Sequence, residues 1–160
     1  MVALLTSVGV TIGCAPTGNA AELQVGDCLE MGGTDDQPRV EKAECGSATA
    51  NFKVVSSVTS ADECPVDVDS TYSMRDSLNR SASTLCLDID WMLGGCMSVD
   101  PRHDRDPVRV DCADTSVRPR QRATQILSAA NGPFAADQCA SGLGYTYSER
   151  GFTVCVENLG

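Results

Sequence analysis

Nine cysteines carry most of the reactive chemistry open to this chain. Cysteines at C-x-x-C spacing would hold zinc or run a thiol–disulfide cycle. No two stand at that spacing, and the nearest pair, Cys86 and Cys96, lies ten positions apart. Histidine gives metal binding little support, since His103 stands alone in the sequence. Disulfides fit the spacing better, and they imply export from the reducing cytosol. Nine is odd, so one sulfur needs a different fate.

Cys14 is the candidate for that fate. It ends the uncharged run "MVALLTSVGVTIG", which is too short to span a bilayer but long enough for the apolar region of a signal peptide. Gly13 directly before the cysteine, with Ile12 before it, matches the end of a bacterial lipobox, where the cysteine becomes a lipidated mature N-terminus. Thr11 stands where lipoboxes usually place Leu or Val, and no Lys or Arg precedes Arg39. The missing basic segment leaves room for a start upstream of Met1. Two or three acyl chains hold a protein on a membrane stably, whereas one gives only marginal binding. Residues 1–13 are read as the lipoprotein signal and 14–24 as the lipidated N-terminus with a short linker. Eight cysteines then remain to pair.

Few other groups offer chemistry. His103 lies in the charged turn "DPRHDRDP" and reads as a solvated loop histidine. Asp88 and Asp90, two apart on one strand, share a face and could serve a glycosidase that uses paired carboxylates. No G-x-S-x-G elbow is present. Asp100, Asp104 and Asp106 offer oxygens of the kind calcium takes, but they lack the EF-hand spacing and glycine, and arginines interrupt them. Six of the ten arginines fall between Arg102 and Arg122. Arg118, Arg120 and Arg122 alternate along "RPRQR" and could grip an anionic polymer or a partner protein on one face, or could pair internally with Asp111 and Asp114.

The elements that position these groups follow from a duplication. The eight cysteines form two sets of four, Cys28, Cys45, Cys64, Cys86 and Cys96, Cys112, Cys139, Cys155. "VGDCLEMG" answers "LGGCMSVD", and "PRVEKAEC" answers "PVRVDC". "DECPVDVDSTYS" answers "DQCASGLGYTYS", with Tyr72 and Tyr147 each eight residues past a cysteine. Two repeats of four cysteines each result, 25–90 and 91–158. Each reads as three short strands, a helix in "CPVDVDSTYSMRDSL" or its less regular partner, and a closing strand in "TLCLDID" or "FTVCVEN". The expected fold is α+β, two β-β-β-α-β units packed as one body, with Trp91 at the junction. Eight cysteines allow about 105 pairings. A duplicated fold favours a pattern repeated in each half, which leaves few, and first-to-second with third-to-fourth is the one chosen. Each such bridge is worth about 3 kcal/mol in the chain-entropy account.

Composition bounds the partners. Aromatics make up 4% of the chain, so disulfides must help a core short of large side chains. The net charge of −10 repels nucleic acid and anionic lipid headgroups, leaving a covalent anchor as the means of membrane attachment.

Taken together, "VGDCL", "ECGSATANFKVV", "YSMR", "LCLDIDW", "GGCMSVDP", "PVRVDC", "RQRAT", "DQCASGLGY" and "VCVE", behind the lipobox cysteine, resemble the mycobacterial LppU-type lipoproteins. The resemblance implies an actinobacterial envelope lipoprotein on the outer face of the plasma membrane, with no catalytic residues. The expectation is a binding or structural protein without cofactor or metal. The competing class is a carboxylate-dependent envelope glycan hydrolase, and a third is a secreted protein without an anchor.

Overall fold

The computed structural model describes residues 20–34, 37–75, 78 and 81–160. Among them, ten strands form two five-stranded antiparallel sheets. The first sheet contains β1 (Cys28–Thr34), β2 (Gln37–Ala43), β3 (Phe52–Val58), β4 (Ser70–Arg75) and β5 (Ser81–Ile89), in the order β2-β1-β3-β5-β4. The second contains β6 (Cys96–Ser98), β7 (Val108–Val110), β8 (Gln121–Ser128), β9 (Gly144–Tyr147) and β10 (Phe152–Asn158), in the order β7-β6-β8-β10-β9. The two orders are the same. The register at the first cysteine of each half is also shared, Cys28 lying opposite Lys53 as Cys96 lies opposite Arg122. The closing strands differ: Cys86 faces Thr71, but Cys155 faces Gly144, two positions before the matching Thr146.

The α+β expectation is therefore corrected to all-β. The described residues hold no α-helix, and helical turns are confined to 3-10 pieces at Ala20–Glu22, Ala61–Glu63 and Ala136–Gln138. The segment expected to be helical supplies β4 instead. Its residues alternate between half-buried and exposed, and Tyr72 and Met74 pack on the core. That is the period of a strand, and β5 offers β4 a full ladder of backbone partners from Ser70 opposite Leu87 onward. Pro65 and the acidic residues near it suggested a helix start, but the paired edge outweighs so local a preference.

Four disulfides occur among the described residues: Cys28–Cys45, Cys64–Cys86, Cys96–Cys112 and Cys139–Cys155. Cys64 and Cys139 each follow a 3-10 turn and tie it to the middle of a closing strand. Gly144 passes so close to the Cys139–Cys155 bridge that a Cβ there would meet Cys139 Sγ at 3.0 Å and Thr153 Cγ2 at 2.8 Å.

The main core joins the halves. Leu29, Phe52, Val54, Leu85, Leu87 and Ile89 of the first sheet cluster with Met97 and Val99 of the second half. A smaller cluster gathers Ala123, Tyr147, Val154 and Val156. Trp91 packs against both clusters and lies 5.0 Å from the Tyr145 ring. Each large side chain so buried contributes on the order of 1.5–3 kcal/mol.

Candidate functional site

Strand β5 lies inside its sheet, between β3 and β4, and the chain is buried from Thr84 to Asp90. Leu85, Leu87 and Ile89 take one face, so Cys86 and Asp88 must leave by the other. A buried carboxylate needs partners, and the second half supplies them. The turn between β9 and β10 carries Arg150, whose Nη1 donates to Asp88 Oδ2. Arg150 Nε and Nη2 donate to Asp67 Oδ1 at 3.3 and 3.2 Å, and Nη2 also reaches the Asp67 carbonyl at 3.2 Å. The guanidinium lies 4.8 Å from the Tyr147 ring centroid, and that ring stacks on Phe152 at 4.5 Å.

Two further contacts close the latch. The Tyr147 hydroxyl donates to Asp69 Oδ2 at 2.7 Å, an oxygen that also accepts the Ile89 N–H at 2.8 Å. The Glu149 N–H donates to Asp67 Oδ2 at 2.8 Å. Three carboxylates of the first half thus meet a single guanidinium and one phenol of the second.

Burial governs how these groups titrate. It pushes the Asp88 carboxyl up to about 6, against the opposing pull of Arg150. Burial likewise raises Asp69, although the Ile89 N–H and the Tyr147 hydroxyl favour its charged form. The Tyr147 hydroxyl is raised by its own burial and then by Asp69. Burial works against the Arg150 cation, but its bonds to Asp88 and Asp67 prevail and hold it charged.

Asp88 keeps one oxygen uncommitted. The residue is 6% exposed, and its Oδ1 is buried without a hydrogen-bond partner. It lines a cleft of about 560 Å³, walled by Trp91, Met92, Ile126, Phe152 and Val154, with Lys53 and Arg150 also on its surface. Val25, Met92 and Ile126 hold apolar surface open there, at 63%, 45% and 49% exposure. The Trp91 indole N–H is likewise buried without a hydrogen-bond partner.

Asp90 differs from Asp88. Its Oδ2 accepts the Gly46 N–H at 2.6 Å and Arg109 Nη2 at 2.9 Å, and Arg109 Nη2 also donates to the Asp90 carbonyl. Oδ1 lies 3.5 Å from Cys28 Sγ. Cys28, Cys45 and Asp90 are close enough to suggest a metal triad, but both sulfurs are spent in a disulfide and hold no thiolate to ligate with. A carboxyl such as Asp88 can exchange a proton near neutral pH, whereas Asp90 is committed to two donors.

Among the other sequence candidates, Cys14 lies outside the described residues, as does the whole signal segment. Arg118, Arg120 and Arg122 do not form one patch. Arg120 is buried at 5% exposure and donates to the carbonyls of Asp114, Val117 and Leu159, bracing the turn before β8. Arg122 pairs with Glu157 at 3.0 Å, while Arg118 is exposed. In "DPRHDRDP", Asp100 accepts the Arg102 N–H at 3.0 Å and Arg105 Nε at 3.3 Å, and the first of these holds its carboxyl below the usual range. His103 occupies the left-handed region at φ 56° and is exposed, a loop position.

Sequence reasoning missed Arg150, Asp67, Asp69 and Tyr147 as a group. Part of a signal existed: acids alternate with apolar residues in "LCLDID", which demands partners if the strand is internal to a sheet. No family model, curated protein or solved structure matches the chain.

Proposed function

We propose that this chain is a cell-envelope lipoprotein of the LppU type, held by a lipidated Cys14 on the extracytoplasmic face of a bacterial plasma membrane and serving a binding or structural role. The observation that carries the reading is the sulfur count. Four disulfides take up eight cysteines, and Cys14 is the one left over. Lipidation gives that sulfur a use in a compartment where a spare thiol is a liability. Of the arginines considered for partner capture, Arg120 is structural and Arg122 is paired with Glu157, which leaves Arg118 and its exposed surroundings for an anionic envelope polymer or partner protein. Intact mass spectrometry of the membrane-extracted protein tests the anchor. Acyl mass on Cys14, lost together with membrane association in Cys14→Ala, is the expected result; a native Cys14 bearing a free thiol would overturn it.

One observation favours a second reading. Asp88, raised to about 6 in a cleft, has the protonation behaviour of a general acid. An envelope glycan hydrolase would need a second carboxylate to act with it, and Asp90, already bound to Gly46 and Arg109, is poorly placed for that part. Purified protein that releases sugar from envelope glycan, and loses this activity in Asp88→Asn, would select the hydrolase.

A further inference from the structure

We propose that the cleft between Trp91 and the β9–β10 hairpin binds a small amphipathic amine, with its ammonium on Asp88 Oδ1 and its apolar part against Ile126, Met92 and Phe152. At about 560 Å³ the cleft falls within the range of small-molecule sites, and its walls are mainly apolar.

The polar end decides which head group fits. Arg150 has Nε, Nη1 and Nη2 engaged by Asp67 and Asp88, so it has little to offer an incoming anion. Two buried polar atoms of the cleft residues lack a hydrogen-bond partner, the Trp91 indole N–H and Asp88 Oδ1, and of the two only the acceptor belongs to an ionisable group. A buried acceptor left unmatched is costly, so a ligand that supplies a donor recovers that loss. Charge selects a cationic donor over a neutral one. Asp67, Asp69 and Asp88 gather around one guanidinium, and Asp90 is already neutralised by Arg109. Lys53 lies directly opposite Asp88 on β3, yet it is exposed and makes no hydrogen bond or ion pair among the described residues. Oδ1 is itself shut off from solvent, so the ligand must displace side chains at the rim to reach it, where the long side chains of Lys53 and Met92 are exposed.

This inference rests on the binding role proposed above but not on the anchor. If it fails while Cys14 proves acylated, the lipoprotein reading stands and the ligand does not.

Trp91 is the sole tryptophan of the chain, so its fluorescence reports on the cleft directly. Hexylammonium, hexan-1-ol and hexanoate are titrated into the disulfide-intact protein at about pH 7.5 and about pH 5. The charged groups around Asp88 and Asp69 are Lys53 on β3, Asp90 on the Asp88 chain segment, Asp67 ahead of β4, Arg150 beside Tyr147 and Glu149 in the hairpin, and His103 on the Asp69 side. Of these, Asp88 and Asp69 are the carboxyls that burial raises, and protonating them weakens a cation site. Saturable binding of hexylammonium is expected, weakened roughly tenfold at the lower pH and in Asp88→Asn, and kept or tightened in Lys53→Met. The pH comparison on the unaltered protein keeps the test decisive if Asp88→Asn folds poorly. Equal binding of hexan-1-ol, preference for hexanoate, loss of binding in Lys53→Met, or no response to any probe overturns the proposal.

Discussion

The Tyr147 hydroxyl donates to Asp69 Oδ2 at 2.7 Å, tying a strand of the second sheet to the segment that leads into β4 of the first. The two residues stand 78 positions apart, so the bond exists only once the halves have docked. Tyr147→Phe keeps the ring stacked on Phe152 and removes the donor alone. The expected loss is about 1.5–3 kcal/mol, the range for a hydrogen bond to a charged group. It should appear as a lowered urea midpoint with an unchanged slope.

Arg150 serves two carboxylates at once. Arg150→Met preserves the apolar stem and leaves Asp67 and Asp88 without their cation. A loss of about 3–5 kcal/mol is expected, since removing one member of a buried pair strands the other. Arg150→Lys should recover less than half, because one ammonium cannot reproduce a fork that spans two partners. Equilibrium urea unfolding of the three proteins checks both statements.

Stability should depend on pH through Asp88. Its carboxyl ordinarily titrates near 3.8 and rises to about 6 in the fold. Between those values the folded chain holds a proton that the unfolded chain releases, so this group favours the fold most below the lower value. The contribution is lost as pH rises through about 6. Asp69 is raised by burial and acts in the same direction. The stability of the native protein relative to Asp88→Asn should therefore fall from about pH 4 to about pH 7. Paired thermal melts across that interval measure it.

Each bridge closes a short loop, with separations of 17, 22, 16 and 16 residues. Replacing both cysteines of any one pair by serine should cost about 3 kcal/mol. Without reductant, none of the eight paired cysteines should react with an alkylating reagent in the unfolded protein. Peptide mapping after alkylation reads both the pairing and any exception.

Arg118 and Arg120 are two positions apart and should behave oppositely. Arg120→Ala removes the donor from three carbonyls and should destabilise by about 2 kcal/mol or more. Arg118→Ala, at an exposed site, should stay within about 0.5 kcal/mol. If Arg118→Glu abolishes capture of an anionic polymer while stability is unchanged, the surface around Arg118 is the binding face.

Much of the strand content was legible. "DCLEM", "RVEKAEC", "NFKVVSSV" and "TLCLDID" show valines or alternating apolar residues between turn formers, and each falls on a strand. The "CPVDVDSTYSMRDSL" segment misled because proline and acids near a helix start are a local signal, whereas the strand it forms depends on a partner. β5 supplies that partner, and the chain alone does not announce which edge will be free.

The candidate site was legible in half. Asp88 and Asp90 stood out as acids alternating with apolar residues, but their equivalence on one strand suggested a pair acting together. Docking separates them, giving Asp88 to Arg150 and Asp90 to Arg109. Arg150 itself sits in a hairpin turn where a charged residue is ordinary, so nothing nearby marked it.

Cysteine spacing, net charge and the matched halves are properties of the chain as a string, and they are enough to mark a disulfide-bearing acidic protein. What the string left open was which strand edges pair and which buried charges meet. Those depend on groups dozens of positions apart coming within a few ångströms. The fold alone brings them there, because a buried carboxylate is tolerable only where a distant segment arrives to meet it.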